Sequence, residues 1–391
     1  MNTILASTQS VTEENCPYCE QSEFVKRGTR KKKHEVVQLY KCRNPECGKT
    51  FTSGASKGRK FPLKVILEAL GYYNLGFNFE QTCSIIKQKF SFSPDPSTLS
   101  SWVEEYKYLC RYERMRPYAI KMYDPQDTVE VFTMVHKQLY RFRYHRAKIR
   151  LLLEEYKHDR FRPLKEFLDS VTSDTPHQYF EDSIRASEIK SRFDKTGMVI
   201  KSKTNYANRL TSLVLGTVEN NKDRHEAVQR FMLANDSVTV AAEVPIHIRA
   251  EDIEHMQNKL GFKIVDEEGI KVKARKDRKD QLTKTGLPKI LTGHIDLIQV
   301  RNRVIHLMDY KPNAAKEKPI EQLTWYALAM SRLTGLRLLD FKCAWFDEKD
   351  YFEFYPLHVV KKLKVTKRTR KVFYRDGTWA EIPKSDKLIL V

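Results

Sequence analysis

Two aspartates and a lysine in the C-terminal half of the chain have the spacing of a metal-dependent hydrolytic site. The segment KILTGHIDLIQVRNRVIHLMDYKPN (289–313) predicts two strands joined by a turn at Arg301-Asn302, with Asp296 on the first strand and Asp309 ending the second. Lys311 lies two residues beyond Asp309, so both side chains project from one face. Such carboxylates hold Mg²⁺ or Mn²⁺, which acidifies a bound water, and the ammonium offsets charge developing on a phosphate. The segment predicts metal-assisted phosphodiester hydrolysis.

The elements around this segment carry further polar side chains. In chain order they are His225 in LGTVENNKDRHEAVQRFM (215–232), Glu243 in AAEVPIHI (241–248), and Gln322 and Tyr326 in EQLTWYALAMSRLTG (321–335). Gln322 and Tyr326 lie one turn apart on one face of a predicted helix. Two alternatives stay open here: His225 is a ligand or an ordinary residue of an amphipathic helix, and Glu243 belongs to the site or only to its strand.

The order of these segments over about residues 212–350 resembles the RecB-type branch of the PD-(D/E)xK nucleases. That order is a helical histidine, a strand with a glutamate, G-x-x-D, D-x-K and Q-x-x-x-Y. The resemblance implies an α/β nuclease core with a mixed central sheet of about five strands flanked by helices. It implies a Mg²⁺ or Mn²⁺ site formed by His225, Asp296, Asp309 and the carbonyl of Tyr310. It also implies a catalytic set of Asp296, Asp309, Lys311, Gln322 and Tyr326.

The chain departs from some members of that branch in one respect. Those members hold an iron–sulfur cluster with one upstream and three C-terminal cysteines, whereas Cys343 is the single cysteine downstream of the predicted site. The sequence predicts no iron–sulfur cluster for this reason. It also contains no G-x-x-x-x-G-K-[ST] phosphate loop, which excludes a fused motor of that type.

Four cysteines near the N-terminus predict a structural zinc site. Cys16 and Cys19 form one close pair, Cys42 and Cys47 form a second, and a strand-sized insert separates the pairs. Two such pairs on tight turns can place four thiolates tetrahedrally around one Zn²⁺. Seven cysteines in this distribution do not suit a disulfide scaffold, so we expect a reducing, intracellular environment.

Three short amphipathic helices are predicted after the cysteine pairs. They are PLKVILEALGYYNLG (62–76), FEQTCSIIKQKF (79–90) and PDPSTLSSWVEEY (94–106), the last with Ser97 as its predicted N-cap. Three helices of this size suit a helix-turn-helix, with Ser97, Thr98 and Ser101 facing a DNA groove. A three-helix bundle without DNA contacts is the alternative.

Together, the cysteine pairs and the helices over about residues 14–108 resemble the N-terminal zinc ribbon and helix-turn-helix of insertion-sequence transposases. The runs that carry the resemblance are CPYC, LYKCRNPECGKTFTS, FPLKVILEALGYYNLGFNFEQTCSII and STLSSWVEEY. The resemblance implies binding to duplex DNA. It does not bring a transposase active site with it, because the rest of the chain follows another pattern.

Charge and hydropathy favour a polyanionic partner. Seventy Lys and Arg against fifty Asp and Glu give a net charge of +20 over 391 residues, with a pI of about 9.5. Neutralised phosphates release condensed counterions, so a surplus of this size draws a protein to nucleic acid. Mean hydropathy is −0.58, no apolar run reaches membrane-spanning length and no secretion signal is visible, so we expect a cytoplasmic, nucleoid-associated protein with no membrane partner.

The predicted organisation is multidomain. It consists of a zinc ribbon (1–56), a helix-turn-helix domain (57–110), a helical connector (111–205), the nuclease core (206–360) and a basic β-hairpin tail around Asp376-Gly377 (361–391). We expect a Mg²⁺- or Mn²⁺-dependent deoxyribonuclease that is recruited to DNA and acts in repair or recombination. Homo-oligomerisation and association with recombination proteins stay open. So do two other functions, a DNA-binding regulator with an inactive nuclease fold and a recombinase or transposition nuclease of a mobile element.

Overall fold

The N-terminal part of the chain folds into a small sheet followed by three helices. The computed structural model describes residues 15–52, 60–190, 199–202, 204–218, 220–264, 271–272, 280–284, 286–361, 369–373 and 379–383. An antiparallel sheet contains β1 (Phe24–Lys31), β2 (Val36–Cys42) and β3 (Thr50–Thr52), in that order. The helices are α1 (Leu63–Asn74), α2 (Phe79–Phe90) and α3 (Pro96–Tyr106).

The third of these helices begins earlier than predicted. Its N-cap is Asp95 rather than Ser97, and the Asp95 carboxylate accepts from the backbone N–H of Thr98 at 2.8 Å. Pro96 then occupies the first helical position, where its missing N–H costs nothing. Asp95, directly before this proline, is therefore the N-cap, and Ser97 lies in the first turn of the helix.

Short helices and strands alternate over the next hundred residues. They are α4 (Arg116–Ala119), β4 (Val129–His136), β5 (Gln138–His145), α5 (Arg146–Glu154), α6 (Arg162–Asp174), α7 (Tyr179–Asp182), β6 (Ile184–Arg185), β7 (Ile189–Lys190) and β8 (Ile200–Ser202). The prediction of a helical connector over residues 111–205 is therefore wrong. β4 and β5 are eight-residue strands of the main sheet, and their alternation of aromatic or β-branched residues with polar residues suits a strand.

The remaining elements complete a large mixed sheet and its flanking helices. They are α8 (Tyr206–Leu215), α9 (Arg224–Asn235), β9 (Thr239–Arg249), α10 (Ala250–Asn258), β10 (Lys271–Val272), β11 (Ile290–Arg301), β12 (Val304–Tyr310), α11 (Ile320–Thr334), β13 (Phe341–Phe346), β14 (Tyr351–Phe354) and α12 (Pro356–Val360). Two further strands, β15 (Thr369–Phe373) and β16 (Trp379–Pro383), pair as an antiparallel hairpin where the tail hairpin was expected. The predicted turn at Asp376-Gly377 lies outside the described residues.

Within the described residues, the main sheet has nine strands instead of about five. Its order is β4-β5-β9-β11-β12-β13-β14-β8, with β6 pairing beside β11. β12 and β13 are parallel, as are β6 and β11, and the other neighbours are antiparallel. Because β4, β5, β6 and β8 all precede residue 206, the sheet domain begins well before the predicted boundary of its core.

Two hydrophobic cores lie on the two faces of this sheet. Ile295 and Ile298 of β11 pack with Trp325 of α11 in one core. Leu297 of β11 and Met308 of β12 join the other core, which also contains residues of α8 and α9 and of the three N-terminal helices. Regular alternation would place Ile295 and Leu297 on one face, and their division between the two cores coincides with the irregular pairing of β9 and β11 at Glu243, whose φ is +52°. None of the helices within the described ranges is long and apolar enough to cross a membrane.

Candidate active site and metal centre

Asp296 and Asp309 lie next to each other on neighbouring strands. The antiparallel register of β11 and β12 pairs Leu297 with Met308, and one further step along both strands places Asp296 opposite Asp309. The backbone N–H of Tyr310 donates to Oδ2 of Asp296 at 3.0 Å, which fixes the first carboxylate against the end of the second strand. The pairing of the strands therefore brings together the two carboxylates that the sequence predicted.

Lys311 forms an ion pair with Asp309. Its Nζ lies 3.1 Å from Oδ1 and 2.9 Å from Oδ2 of that carboxylate, and the hydrogen bond is made to Oδ1. Burial acts to lower the pKa of Lys311, but the negative charges of Asp309 and Asp296 outweigh it, so the pKa is raised. The raised pKa favours the charged ammonium form of Lys311 beside the two carboxylates.

The two aspartates perturb each other strongly. Burial raises the pKa of Asp296 to about 6, and the charge of Glu243 acts in the same direction. Burial also raises the pKa of Asp309 well above its usual range, and the charge of Asp296 adds to this effect. Oδ2 of Asp309 is buried and accepts no hydrogen bond of good geometry, although Lys311 lies near it. Two close carboxylates with an unused buried oxygen suit a bound divalent cation.

His225 reaches the same group from the N-terminal turn of α9. Its Nε2 lies 3.9 Å from Oδ2 of Asp296, and its ring packs edge-on against Tyr310 at 4.9 Å between ring centroids. Burial lowers the pKa of His225, which favours the neutral imidazole that ligates metals, although the nearby charge of Asp309 opposes the shift. The position of His225 suits a metal ligand. It adds a residue of α9, which packs on the face of the sheet opposite to α11, to the group around Asp296 and Asp309.

This group is less compact than a preformed metal site. Among the described residues, the four N-terminal cysteines alone bring three or more His, Cys, Asp or Glu ligand atoms within 4.8 Å of one another. His225, Asp296 and Asp309 do not meet that criterion together.

Gln322 and Tyr326 form a hydrogen-bonded pair on α11. Nε2 of Gln322 donates to the Tyr326 hydroxyl at 2.7 Å, and burial raises the pKa of that tyrosine. The tyrosine ring lies directly on the backbone of Gly293, where an added Cβ would be 2.3 Å from Cε1 of the ring. The glycine of the G-x-x-D pattern is thus required by the approach of α11 to β11.

Glu243 stands beside Asp296 on the opposite neighbour strand. The register of β9 and β11 pairs Val244 with Ile295 and Ala242 with Leu297, so Glu243 falls opposite Asp296. Its φ is +52°, a left-handed conformation that costs energy for a residue with a side chain. Nε2 of Gln229 donates to its carboxylate at 2.6 Å, and burial raises its pKa. Glu243 therefore belongs to the row of carboxylates rather than to the strand alone.

The β4–β5 hairpin contributes residues that the sequence did not predict. Tyr140 stacks on His294, two residues before Asp296, with ring centroids 3.6 Å apart. Nε2 of His294 lies 2.9 Å from Nδ1 of buried His136. Nε2 of His136 in turn lies 2.8 Å from Nδ1 of His177. The hairpin therefore closes over the strand that carries Asp296. The alternation of Tyr140, Phe142 and Tyr144 was the signal that could have revealed it.

The four N-terminal cysteines form a second, separate cluster. Sγ of Cys16 lies 3.7 Å from Sγ of Cys47, and Sγ of Cys19 lies 3.5 Å from Sγ of Cys42. These separations approach the edge of about 3.8 Å expected for a tetrahedron of sulfurs with Zn–S bonds of about 2.3 Å. Burial raises the pKa of Cys16, but backbone N–H donors of the CPYC turn outweigh it and leave the pKa at about 7. The cluster can hold a metal ion.

Ser97, Thr98 and Ser101 lie together on the first turns of α3. The hydroxyls of Ser97 and Thr98 both donate to the Asp95 carboxylate, at 2.6 and 2.9 Å, and the Ser101 hydroxyl donates to the Ser97 carbonyl at 3.0 Å. Ser97 and Ser101 are exposed. These hydroxyls would have to exchange or share their partners in order to contact DNA.

A large cavity lies away from the row of carboxylates. Its volume is about 680 Å³, and it is bordered by α1, the β4–β5 hairpin and α9. Its lining includes Glu226 and Arg143, which form an ion pair at 2.6 Å, but neither Asp296 nor Asp309. Strongly perturbed carboxylates are a better guide to a candidate site than the size of a cavity.

Comparison of the chain with protein-family models, curated proteins and solved structures gave no significant match. The arrangement of the residues is consequently the basis for assigning a function. It consists of three carboxylates in one row across three strands, a lysine paired with one of them and a histidine close to another. Such a group can bind a divalent cation and place a positive charge beside a phosphate.

Proposed function

We propose that this protein is a Mg²⁺- or Mn²⁺-dependent DNA nuclease with a RecB-like PD-(D/E)xK core. The observation that carries the proposal is the placement of Asp296 opposite Asp309, with Lys311 paired to Asp309 at 3.1 Å. The perturbed pKa values of both aspartates and the approach of His225 support it. A row of carboxylates with a lysine at a strand end does not evidently stabilise the fold. Metal-assisted phosphodiester hydrolysis, in contrast, needs both the carboxylates and the lysine.

The residues have separable roles in this proposal. His225, Asp296, Asp309 and the carbonyl of Tyr310 hold the cation, which when bound supplies Lewis acidity and a more acidic water. Lys311 would orient an attacking water and offset the negative charge that develops on the phosphate. The Gln322–Tyr326 pair borders the site from α11 and holds the neighbouring strand in place.

The N-terminal modules recruit the protein to DNA in this proposal. Zn²⁺ held by the four clustered cysteines stabilises the small sheet, and α3 carries Ser97, Thr98 and Ser101 towards the duplex. The net charge of +20 supports a nucleic acid as the partner. We infer a cytoplasmic, nucleoid-associated location from this partner.

The test is cleavage of labelled linear, circular and single-stranded DNA with Mg²⁺, Mn²⁺ or EDTA. Wild type is compared with Asp309→Asn, which keeps the shape of the side chain, and with Asp252→Asn as a control. Asp252 is a buried carboxylate paired with Arg332 at 2.7 Å, away from the site. Loss of several kcal/mol of transition-state stabilisation should slow Asp309→Asn by about 10²-fold or more.

The outcomes separate the remaining functions. Metal-dependent cutting by wild type and Asp252→Asn, lost in Asp309→Asn, supports the nuclease, and the circular substrate distinguishes endonuclease from exonuclease action. DNA binding without cutting in either metal, equal in all three proteins, overturns the proposal and favours a regulator with an inactive nuclease fold. Joining of DNA strands in place of hydrolysis favours a mobile-element recombinase.

A further inference from the structure

A dense run of positive charge lies on the edge of the N-terminal sheet. Six of the eight residues 26–33 (KRGTRKKK) are Lys or Arg, and none is acidic. They occupy β1, which is an edge strand, and the turn that leads into β2. Lys26, Arg30, Lys31 and Lys33 are exposed, and in the described part of the chain they form no ion pair with an acidic side chain. Repulsion between so many neighbouring positive charges destabilises the folded protein unless a bound anion offsets it.

The turn of this hairpin is fixed against the three-helix module by stacked rings. The His34 ring stacks on Phe92 with centroids 4.1 Å apart and lies 5.4 Å from Phe61. Phe61 in turn packs edge-on against Trp102 of α3 at 5.2 Å. Phe92 lies between the end of α2 and the Asp95 cap of α3. The rings thus place the basic turn next to the N-terminal end of α3.

Positive charge continues from the hairpin to the start of α1. Burial lowers the pKa of His34, and the charges of Lys33 and Lys60 act in the same direction. Lys60 is exposed and directly precedes Phe61 in the stack. The basic surface therefore belongs to two modules that meet at His34.

We propose that the β1–β2 hairpin and the N-terminal turn of α3 form one composite surface for duplex DNA. The basic residues of 26–33 hold the phosphate backbone while α3 lies in the adjacent groove. Phosphate contacts of this kind fix the register of a protein on DNA without reading sequence, which complements a helix that contacts base edges. This inference deepens the proposed DNA recruitment and assigns most of its electrostatic attraction to the hairpin.

Gly28 shapes the strand that presents these charges. Its φ is +99°, and the pairing of β1 with β2 shifts register between Lys26 and Thr29. A bulge with glycine in this conformation bends and twists an edge strand. Beyond the bulge, Arg30 pairs with Val37 and Lys31 with Val36, so the basic side chains project from both faces of the edge. An edge of this form can follow a phosphate backbone.

The test measures the salt dependence of binding to a fluorescent 30-base-pair duplex in EDTA, where no cutting occurs. The triple variant Arg30→Ala, Lys31→Ala, Lys33→Ala is compared with the control Lys259→Ala, Lys263→Ala, Lys289→Ala, which removes the same charge from exposed lysines of the sheet domain. Each lost phosphate contact should reduce the slope of log K against log salt by about 0.9. We expect a reduction of about 2 to 3 for the first variant and almost none for the control.

A second comparison tests the composite nature of the surface. His34→Ala removes the ring that fixes the hairpin but keeps all six basic residues, whereas His34→Phe keeps a ring. We expect weaker DNA binding for His34→Ala and near-normal binding for His34→Phe, with the zinc content of both unchanged. Equal binding by both His34 variants, or equal salt slopes for the two triple variants, overturns the inference.

The result is independent of cleavage. Binding is measured in EDTA, where no cutting occurs, so failure of the nuclease proposal leaves this measurement intact. Conversely, a hairpin variant that binds poorly should still cut at low salt and high protein concentration if only recruitment is impaired. Tighter binding to RNA of equal length than to the duplex would overturn the assignment of duplex DNA.

Discussion

Three carboxylates in one row must repel one another unless a cation or protons lie between them. Glu243, Asp296 and Asp309 occupy opposing positions on β9, β11 and β12. Lys311 offsets part of their charge, while burial raises the pKa of all three carboxyls and the charges of the neighbouring carboxylates add to that effect. Without a metal, such a group holds protons that a metal must displace.

Metal binding should therefore release protons and strengthen with pH. Burial raises the pKa of Asp296 to about 6 and the pKa of Asp309 well above its usual range, so protons compete with a metal ion for these carboxyls at mildly acidic pH. We expect the affinity for Mn²⁺ to rise by up to about tenfold per pH unit for each proton displaced. Calorimetry at pH 5.5 to 8 in buffers of different ionisation enthalpy measures both quantities. Asp309→Asn should release fewer protons, and a pH-independent affinity in wild type would contradict the expectation.

Gly293 offers a test of how α11 is positioned. Gly293→Ala places a Cβ 2.3 Å from the Tyr326 ring, so the helix or the strand must shift. Overpacking of this kind should lower the free energy of unfolding by about 1–3 kcal/mol. Urea unfolding of Gly293→Ala, Tyr326→Ala and the double variant measures the coupling. The cost of Gly293→Ala should shrink sharply once the ring is absent, and an unchanged cost would place the strain elsewhere.

The candidate site was predictable where residues are close in sequence. Asp309 and Lys311 are two residues apart at the end of β12, and Gln322 and Tyr326 are one turn apart on α11, so periodicity predicts a common face for each pair. Glu243 could not be assigned in this way. Its place beside Asp296 depends on the register of β9 and on the left-handed φ at that residue, and neither property follows from local pattern.

At the scale of elements, the β4–β5 hairpin is the main difference from the predicted fold. The run RFRYHRAKIRLLLEEYKHDRF (141–161) shows helical periodicity, but a strand ends at His145 and helix α5 begins only at Arg146. The His145 side chain accepts from the Lys148 backbone N–H at 3.3 Å and so caps that helix. Histidine is not among the common N-cap residues, so the sequence pattern did not reveal where β5 ends and α5 begins.

The histidines that join this hairpin to β11 should make the protein sensitive to acid. Burial lowers the pKa of His136 from 6.5 to about 4, and the charges of His177 and Arg185 act in the same direction. A histidine with a lowered pKa stabilises the fold fully above 6.5, and this contribution is lost as pH falls through about 4. His136→Phe keeps a ring against Phe180 and should flatten the decline in unfolding free energy between pH 7 and 4. Exposed His255→Gln is the control, and parallel declines in both variants would contradict this role.

The N-terminal sheet should depend on its metal. Its buried apolar core consists of Cys16, Tyr40, Cys42 and Phe51, which is too little to stabilise a sheet of this size alone. We expect about one zinc per chain and, in Cys42→Ser, loss of zinc together with faster amide exchange in β1 and β2. Amides of β11 and β12 should keep their protection. Cys110→Ser, a buried cysteine outside the cluster, is the control, and a protected sheet without zinc would contradict the prediction.

On the scale of the whole molecule, the three helices and the main sheet share a core. Leu67 of α1 and Trp102 of α3 belong to the same buried cluster as Phe231 of α9 and Met308 of β12. Buried Asn74 at the end of α1 donates to Asn235 at the end of α9 at 2.7 Å. Since α9 also carries His225, the proposed DNA-binding helices are packed directly on an element of the proposed active site.

That packing predicts cleavage at a fixed distance from the bound site. A flexible linker would let the nuclease sample many positions along DNA, whereas a shared core holds α3 and the Asp296–Asp309 pair at one separation. Once a preferred sequence is selected from a random library, mapping of the 5′ and 3′ ends should give one or two dominant cuts at constant spacing. Asn74→Ala together with Leu67→Ala loosens the contact between α1 and α9 and should broaden the distribution, while Lys259→Ala should not. Cuts spread evenly along the DNA in wild type would show that binding and cutting are not mechanically coupled.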